Sequence, residues 1–192
     1  LSRQVTDHIH MEKWYQTVVC GKLEQREDTL VDYLLKDSRT NTSKVVKEGT
    51  PGSKRSELHY EVLASDGEKT LLRIRLLTGR HHQIRAQLAN AGCPIWGDQR
   101  YNHAAKAGQQ VALWAYSLTI EHPTLKQEMT FTLPPHGAAW EPFETELKAL
   151  CGGVRIVYAD ENILCCNKAA GMSVAAADGG DSLQARLEAA LG

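Results

Sequence analysis

The stretch LLTGRHHQIRAQLANAGCPIWGDQRY, residues Leu76 to Tyr101, decides how this chain of 192 residues is read. Its apolar opening is the end of a strand, and Thr78-Gly79 carries the chain to a helix start. Ile84 and Leu88 stand four apart with Ala86 and Ala91 nearby, which predicts a helix over His81–Asn90. Gly92 falls where a helix C-terminus favours glycine. Free backbone N–H groups at a helix start favour an anion. Arg80 lies at that start and Arg85 follows on the first turns, so two guanidinium forks are offered to a carboxylate or phosphate. The same residues also suit an ordinary basic corner between strand and helix, and single residues do not separate the two readings.

On the N-terminal side, Glu57–Ala64 and Lys69–Leu76 flank Ser65-Asp66-Gly67 and predict a hairpin closed by an Asp-Gly turn. Alternation places Leu72, Ile74 and Leu76 towards the core and Arg73 and Arg75 on the other face. Residues 13–24 read as a strand. Residues 25–55, charged and rich in Thr, Ser, Lys and Gly, read as an extended loop with a short strand at Leu30–Leu35.

On the C-terminal side, Val111–Ile120 and Gln127–Leu133 predict strands around His122-Pro123-Thr124, and Pro142–Leu150 a short amphipathic helix. Cys151-Gly152-Gly153 marks an internal boundary. Beyond it come strands at Val154–Tyr158 and Ile163–Cys166, a loop at Ala175–Gly180, and a helix over Ser182–Leu191 capped by Asp181 or Ser182. Strands outnumber helices and most links are hairpin-like. The fold class expected is therefore α+β, a largely antiparallel mixed sheet flanked by helices, with one folded domain overall.

Composition excludes collagen-like, coiled-coil and wholly disordered chains, at 42% hydrophobic and 23% charged residues. Apolar runs are too short to span a bilayer, so no membrane partner is expected. The opening Leu1–His10 is polar, and its start at Leu predicts an N-terminus that is trimmed, processed or left out. The five cysteines show no C-x-x-C pair, and their odd count with the adjacent Cys165–Cys166 predicts a reducing, cytoplasmic setting. The close histidine pairs, His8 with His10 and His81 with His82, lack a Cys or carboxylate at ligand spacing, so no metal is expected. No Gly-rich phosphate loop occurs, so no nucleotide cofactor is expected. Formal net charge is −1, yet Leu71–Arg100 holds five arginines against Asp98 alone, a local +4 that an anionic partner would see.

Read as one string, Leu76, Thr78, Gly79, Arg80, His82, Gln83, Ile84 and Arg85, then Gly92, Pro94, Gly97, Asp98 and Tyr101, resemble motif III of the RluA-type RNA pseudouridine synthases, L-x-T-G-R-x-H-Q-I-R followed by G-x-P-x-x-G-D-x-x-Y. Lys13-Trp14-Tyr15 with Gly21 is similar to the family's K-x-Y…G strand. Glu121-His122-Pro123 and Leu133-Pro134-Pro135 are similar to its closing strands. The match covers nearly all of residues 8–136. Val154–Val174 resembles motif I, with Lys168, Ala170 and Gly171 matching and Ala169 in place of the usual proline. In the family that element opens the catalytic domain. Residues 1–150 are thus expected to form the central and C-terminal part of such a domain, and residues 154–192 its N-terminal part.

The resemblance implies isomerisation of uridine to pseudouridine in ribosomal or transfer RNA, without cofactor. It implies Arg85 as the cation that keeps the nucleophilic carboxylate charged, and Tyr15 as the surface on which the flipped uracil rests. Ile84 and Leu88 support the pocket floor or simply pack the core. Lys13, Arg80, His82, Gln83 and Lys168 are the implied RNA contacts, Arg80 and Lys168 meeting phosphate or the catalytic loop. The family's H-R-L-D-x-x-T-S-G string, which supplies the aspartate, does not occur. None of the nine aspartates, at 7, 28, 32, 37, 66, 98, 160, 178 and 181, has its context. The expectation is that a segment outside these residues carries it. The alternatives are a catalytically inactive RNA-binding relative, or a permuted fragment that pairs with another chain.

Overall fold

The computed structural model describes residues 11–122, 124–150, 155–159, 164–167, 174 and 182–185. Seven strands form one sheet: β1 (Met11–Cys20), β2 (Glu27–Asp37), β3 (Thr42–Val46), β4 (Lys54–Ser65), β5 (Lys69–Leu76), β6 (Leu113–Glu121) and β7 (Glu128–Thr132), in the order β3-β2-β4-β5-β1-β6-β7. Each of these neighbouring pairs is antiparallel. Helix α1 (Gln83–Asn90) lies against β2 and β3, and a 3₁₀ turn (Glu141–Phe143) leads into α2 (Glu144–Leu150).

β1 runs inside the sheet between β5 and β6 and carries the residues a covered strand needs: Val18 and Val19 are fully buried, as are Thr17 and Gln16. Paired residues share a face, so the register sets Tyr15 beside Ile74 and Trp14 beside Arg75. The expected division of β5 holds. Leu72 and Ile74 are buried, while Arg73 pairs with Glu61 (2.5 Å) and Arg75 with Glu12 (2.9 Å) on the other face. Trp14 lies between those two guanidinium groups, 5.2 and 5.8 Å from its ring. Ile84 and Leu88 of α1 belong to the core with Leu58, Leu71, Leu72 and Ile74, and so do Trp140, Phe143 and Leu147 from the C-terminal turns.

The expectation for residues 25–55 is corrected. They form β2 and β3, eleven and five residues long. Their charge reflects position at one edge of the sheet, where strands carry polar residues outward. Inward, Gln87 of α1 donates to the Leu30 carbonyl (3.2 Å) and to Asp32 Oδ2 (2.9 Å), so the helix is bonded to β2.

In the tail, β8 (Arg155–Ala159) pairs antiparallel with β9 (Leu164–Asn167), within a residue of the two expected strands. Ser182 Oγ accepts the Ala185 N–H at 3.2 Å, as an N-cap does. Cys151–Gly153, the Ala175–Gly180 loop, Pro123, and Lys168 with Ala169-Ala170-Gly171 lie outside the described residues, as does the rest of the last helix. No helix among the described residues is long and apolar enough to cross a membrane.

Candidate active site

The turn from β5 into α1 gathers four of the expected residues, Arg80, His82, Gln83 and Arg85. The first helical turn is set by Gln83, whose Oε1 accepts the Thr78 hydroxyl (2.9 Å) and the Arg80 N–H (3.0 Å) while its Nε2 donates to the Glu57 carbonyl (3.0 Å). Gln83 is 2% exposed. The amide is spent on holding the strand–helix corner together. His82 takes a left-handed backbone conformation at the helix N-cap (φ 50°), a cost accepted by few non-glycine residues. That turn brings its ring between Arg85 and Tyr101.

Arg85 makes a forked ion pair with Asp98, Nε to Oδ2 at 2.7 Å and Nη2 to Oδ1 at 2.6 Å. Asp98 is completely buried and Arg85 has 17% of its side chain exposed. The hydrogen bonds donated to Asp98 hold the guanidinium pKa above its ordinary value, outweighing burial. Asp98 Oδ1 also accepts the Arg100 N–H at 3.1 Å, and the Tyr101 ring lies 5.0 Å from the guanidinium carbon.

The remaining nitrogen of the guanidinium faces His82, with Nη1 3.1 Å from Nε2. Arginine can only donate, so Nε2 accepts and the imidazole proton sits on Nδ1. That proton is donated to Tyr101 Oη at 3.0 Å, which also accepts the Ser43 N–H at 2.7 Å. Burial, then the Arg85 charge, lowers the His82 pKa to about 4, so the ring is neutral at pH 7. His81 stacks on it, ring centroids 3.9 Å apart, and Ser43 Oγ donates to the His81 carbonyl at 2.7 Å. Arg100 Nη1 bonds the Thr40 and Asn41 carbonyls at 3.2 and 3.0 Å, which fastens the β2–β3 turn to the same place. Arg80 is exposed and donates from Nε to the Arg55 carbonyl at 3.2 Å.

The other two described candidates sit in β1. Tyr15 and Lys13 line a pocket of about 440 Å³ with Trp14, Tyr116 and Phe131. Tyr15 is half-buried, packed against the core, and burial raises its hydroxyl pKa. Among the described residues no hydrogen bond or ring contact links Tyr15 to the Arg85 cluster. Lys168 falls outside the described residues.

Asp98, Tyr101, Ser43 and Arg100 acquire roles that the sequence reading did not assign. D-x-x-Y was visible as part of the motif, and its spacing puts Asp98 and Tyr101 on one turn; the Tyr101 N–H bonds the Asp98 carbonyl at 3.2 Å. Nothing local in the sequence marks Ser43, which arrives from the sheet edge. Among the described residues no group of His, Cys, Asp and Glu is arranged to hold a metal ion.

Residues 1–90 match the family described as RNA pseudouridylate synthase. The chain is 29% identical over 143 residues to the uncharacterized RNA pseudouridine synthase YhcT of Bacillus subtilis, covering 73% of this chain and 44% of that protein. It is 31% identical over 131 residues to the ribosomal large subunit pseudouridine synthase C of Haemophilus ducreyi, covering 65% and 41%. Over 81 residues it is 38% identical to the dual-specificity RNA pseudouridine synthase RluA of Haemophilus influenzae, covering 41% and 37%. The chain thus spans less than half the length of these relatives. Its fold is that of the human RNA pseudouridylate synthase domain containing 1, with a TM-score of 0.59 at 23% identity, covering 70% of this chain and 58% of that one. The human domain containing 4 gives 0.56 at 18%, covering 77% and 64%.

Proposed function

We propose that the chain is an RluA-type RNA pseudouridine synthase, to which its match over residues 1–90 and its curated relatives point, and that the protein isomerises uridines of ribosomal or transfer RNA to pseudouridine, with the nucleophilic aspartate supplied from outside these 192 residues. The observation that carries the reading is the Arg85 guanidinium, fixed through Nε and Nη2 by a buried carboxylate and through Nη1 by a neutral histidine. A guanidinium held this way loses little freedom when a further carboxylate docks on its exposed part. In a partly dry site its positive charge keeps that carboxylate ionised, as attack on the ribose or base requires. Tyr15 offers the ring on which a uracil taken out of its stack rests. Lys13, Arg80 and Lys168 meet the RNA backbone. β8 and β9, leading towards Lys168, are read as the motif I element that family members carry first.

The test is conversion of uridine to pseudouridine in ribosomal and transfer RNA transcripts, using the intact gene product. We expect modified uridines with the natural protein and at least tenfold slower formation with Arg85→Lys, since a point charge does not replace the fork. Equal rates in the two proteins would remove Arg85 from the mechanism. Tight RNA binding with no conversion would support the second reading, an inactive RNA-binding relative, which the complete pairing of Arg85 with Asp98 specifically favours.

A further inference from the structure

Away from the Arg85 cluster, a cleft of about 870 Å³ opens beside the loop that connects α1 to β6. Three of the chain's four tryptophans line it, Trp96, Trp114 and Trp140, together with His136, Lys106 and Gln110, and no carboxylate does. We propose that this cleft holds an unpaired nucleotide of the RNA outside the target uridine, its base stacked on tryptophan and its phosphate met by lysine. The proposal rests on the RNA reading above and names a second place of contact.

The chemistry of the lining argues for that occupant. Every base has a π-face, so indole platforms bind single strands without reading sequence. Lys69 Nζ lies 5.7 Å from the Trp96 ring centroid and Lys106 stands on the rim, and neither ammonium is in an ion pair among the described residues. Aromatic faces, the Lys106 ammonium and a lining without carboxylates complement a nucleotide. An apolar peptide would leave the lysines unused.

The platform is also preformed. The Trp114 indole N–H is already spent on the Leu133 carbonyl at 2.8 Å, and His136 meets its ring edge-on with centroids 4.8 Å apart. Trp96 is tied on both sides, its N–H to the Val18 carbonyl and its carbonyl to the Ala112 N–H, each at 2.9 Å. Next to it, Gly97 (φ 74°) lets the cleft loop close in; a Cβ there would lie 2.2 Å from the Gln110 carbonyl oxygen. Trp96 is two residues from Asp98, at most about 7 Å along the backbone.

The test titrates the full chain with a short, dye-labelled single-stranded oligouridylate, following anisotropy and tryptophan fluorescence at several salt concentrations. We expect quenching on binding and affinity lowered about tenfold or more by Trp96→Ala. Lys106→Glu, on an exposed loop where folding is not at stake, should lower affinity too and flatten the salt slope by about 0.7 per lost phosphate contact. RNA binding unchanged by both variants would overturn the cleft and leave the synthase reading standing. Absence of RNA binding by the natural protein would overturn both. Binding of an apolar peptide in place of RNA would assign the cleft to a protein partner and sink the proposal.

Discussion

Gln16 is completely buried in the middle of β1, and among the described residues neither its Oε1 nor its Nε2 has a hydrogen-bond partner. A buried amide without partners costs about 1–3 kcal/mol relative to one that is satisfied. Gln16→Met keeps the volume and removes both polar atoms, so unfolding by denaturant should show a gain of about 1–2 kcal/mol; a loss would show that the amide has partners in solution. His82 gives the opposite kind of residue-scale effect. Its folded pKa, about 4, lies below the ordinary 6.5, so the unfolded chain binds a proton that the fold refuses. Stability that His82 contributes above pH 6.5 is therefore lost as pH falls from 6.5 towards 4, by about 1–2 kcal/mol after allowance for solvent screening. Denaturation midpoints at pH 7 and pH 4.5 should converge in His82→Asn, which tolerates the left-handed backbone. An undiminished pH dependence in that variant would deny His82 this role.

At the scale of elements, the β2–β3 hairpin is held to the α1 corner by few bonds, and Tyr101 carries two of them. Its hydroxyl accepts the Ser43 N–H and the His82 Nδ1–H. Tyr101→Phe strips both donors of their acceptor and should cost about 1–3 kcal/mol. Faster amide exchange across Thr42–Val46 should accompany the loss, and exchange as slow as in the natural protein would show that Arg100 and the Ser43 hydroxyl secure the hairpin without Tyr101. The same hairpin explains where sequence reasoning stops. The β4–β5 hairpin was legible because an Asp-Gly turn and clean alternation agree. The β2–β3 pair was not, since edge strands carry charge that looks like a loop when no partner is visible. Helix α1 was legible from Ile84 and Leu88, but its true start at Gln83 depends on a left-handed histidine that no periodicity reveals. Arg85 was legible as a functional arginine only through the whole motif. Its partner Asp98, thirteen residues on, needed the turn that buries it.

At the scale of the molecule, one corner of a seven-stranded sheet collects a basic helix start, a buried carboxylate and an edge hairpin, while a second aromatic surface opens two residues away from that carboxylate. The local +4 of Leu71–Arg100 is distributed accordingly. Arg73 and Arg75 are answered by Glu61 and Glu12, Arg85 by Asp98, and Arg80 and Arg100 bond backbone carbonyls, which leave their charge uncancelled. RNA affinity should therefore depend on fewer cations than the sequence count suggests. The central claim is that this corner serves uridine isomerisation. Its most direct measurement is a position-by-position map of pseudouridine in ribosomal and transfer RNA from cells with the gene removed, and from the same cells carrying it again. The account predicts that one or more pseudouridines disappear, return with the natural gene, and do not return with Arg85→Lys. A map unchanged by removal of the gene would contradict it.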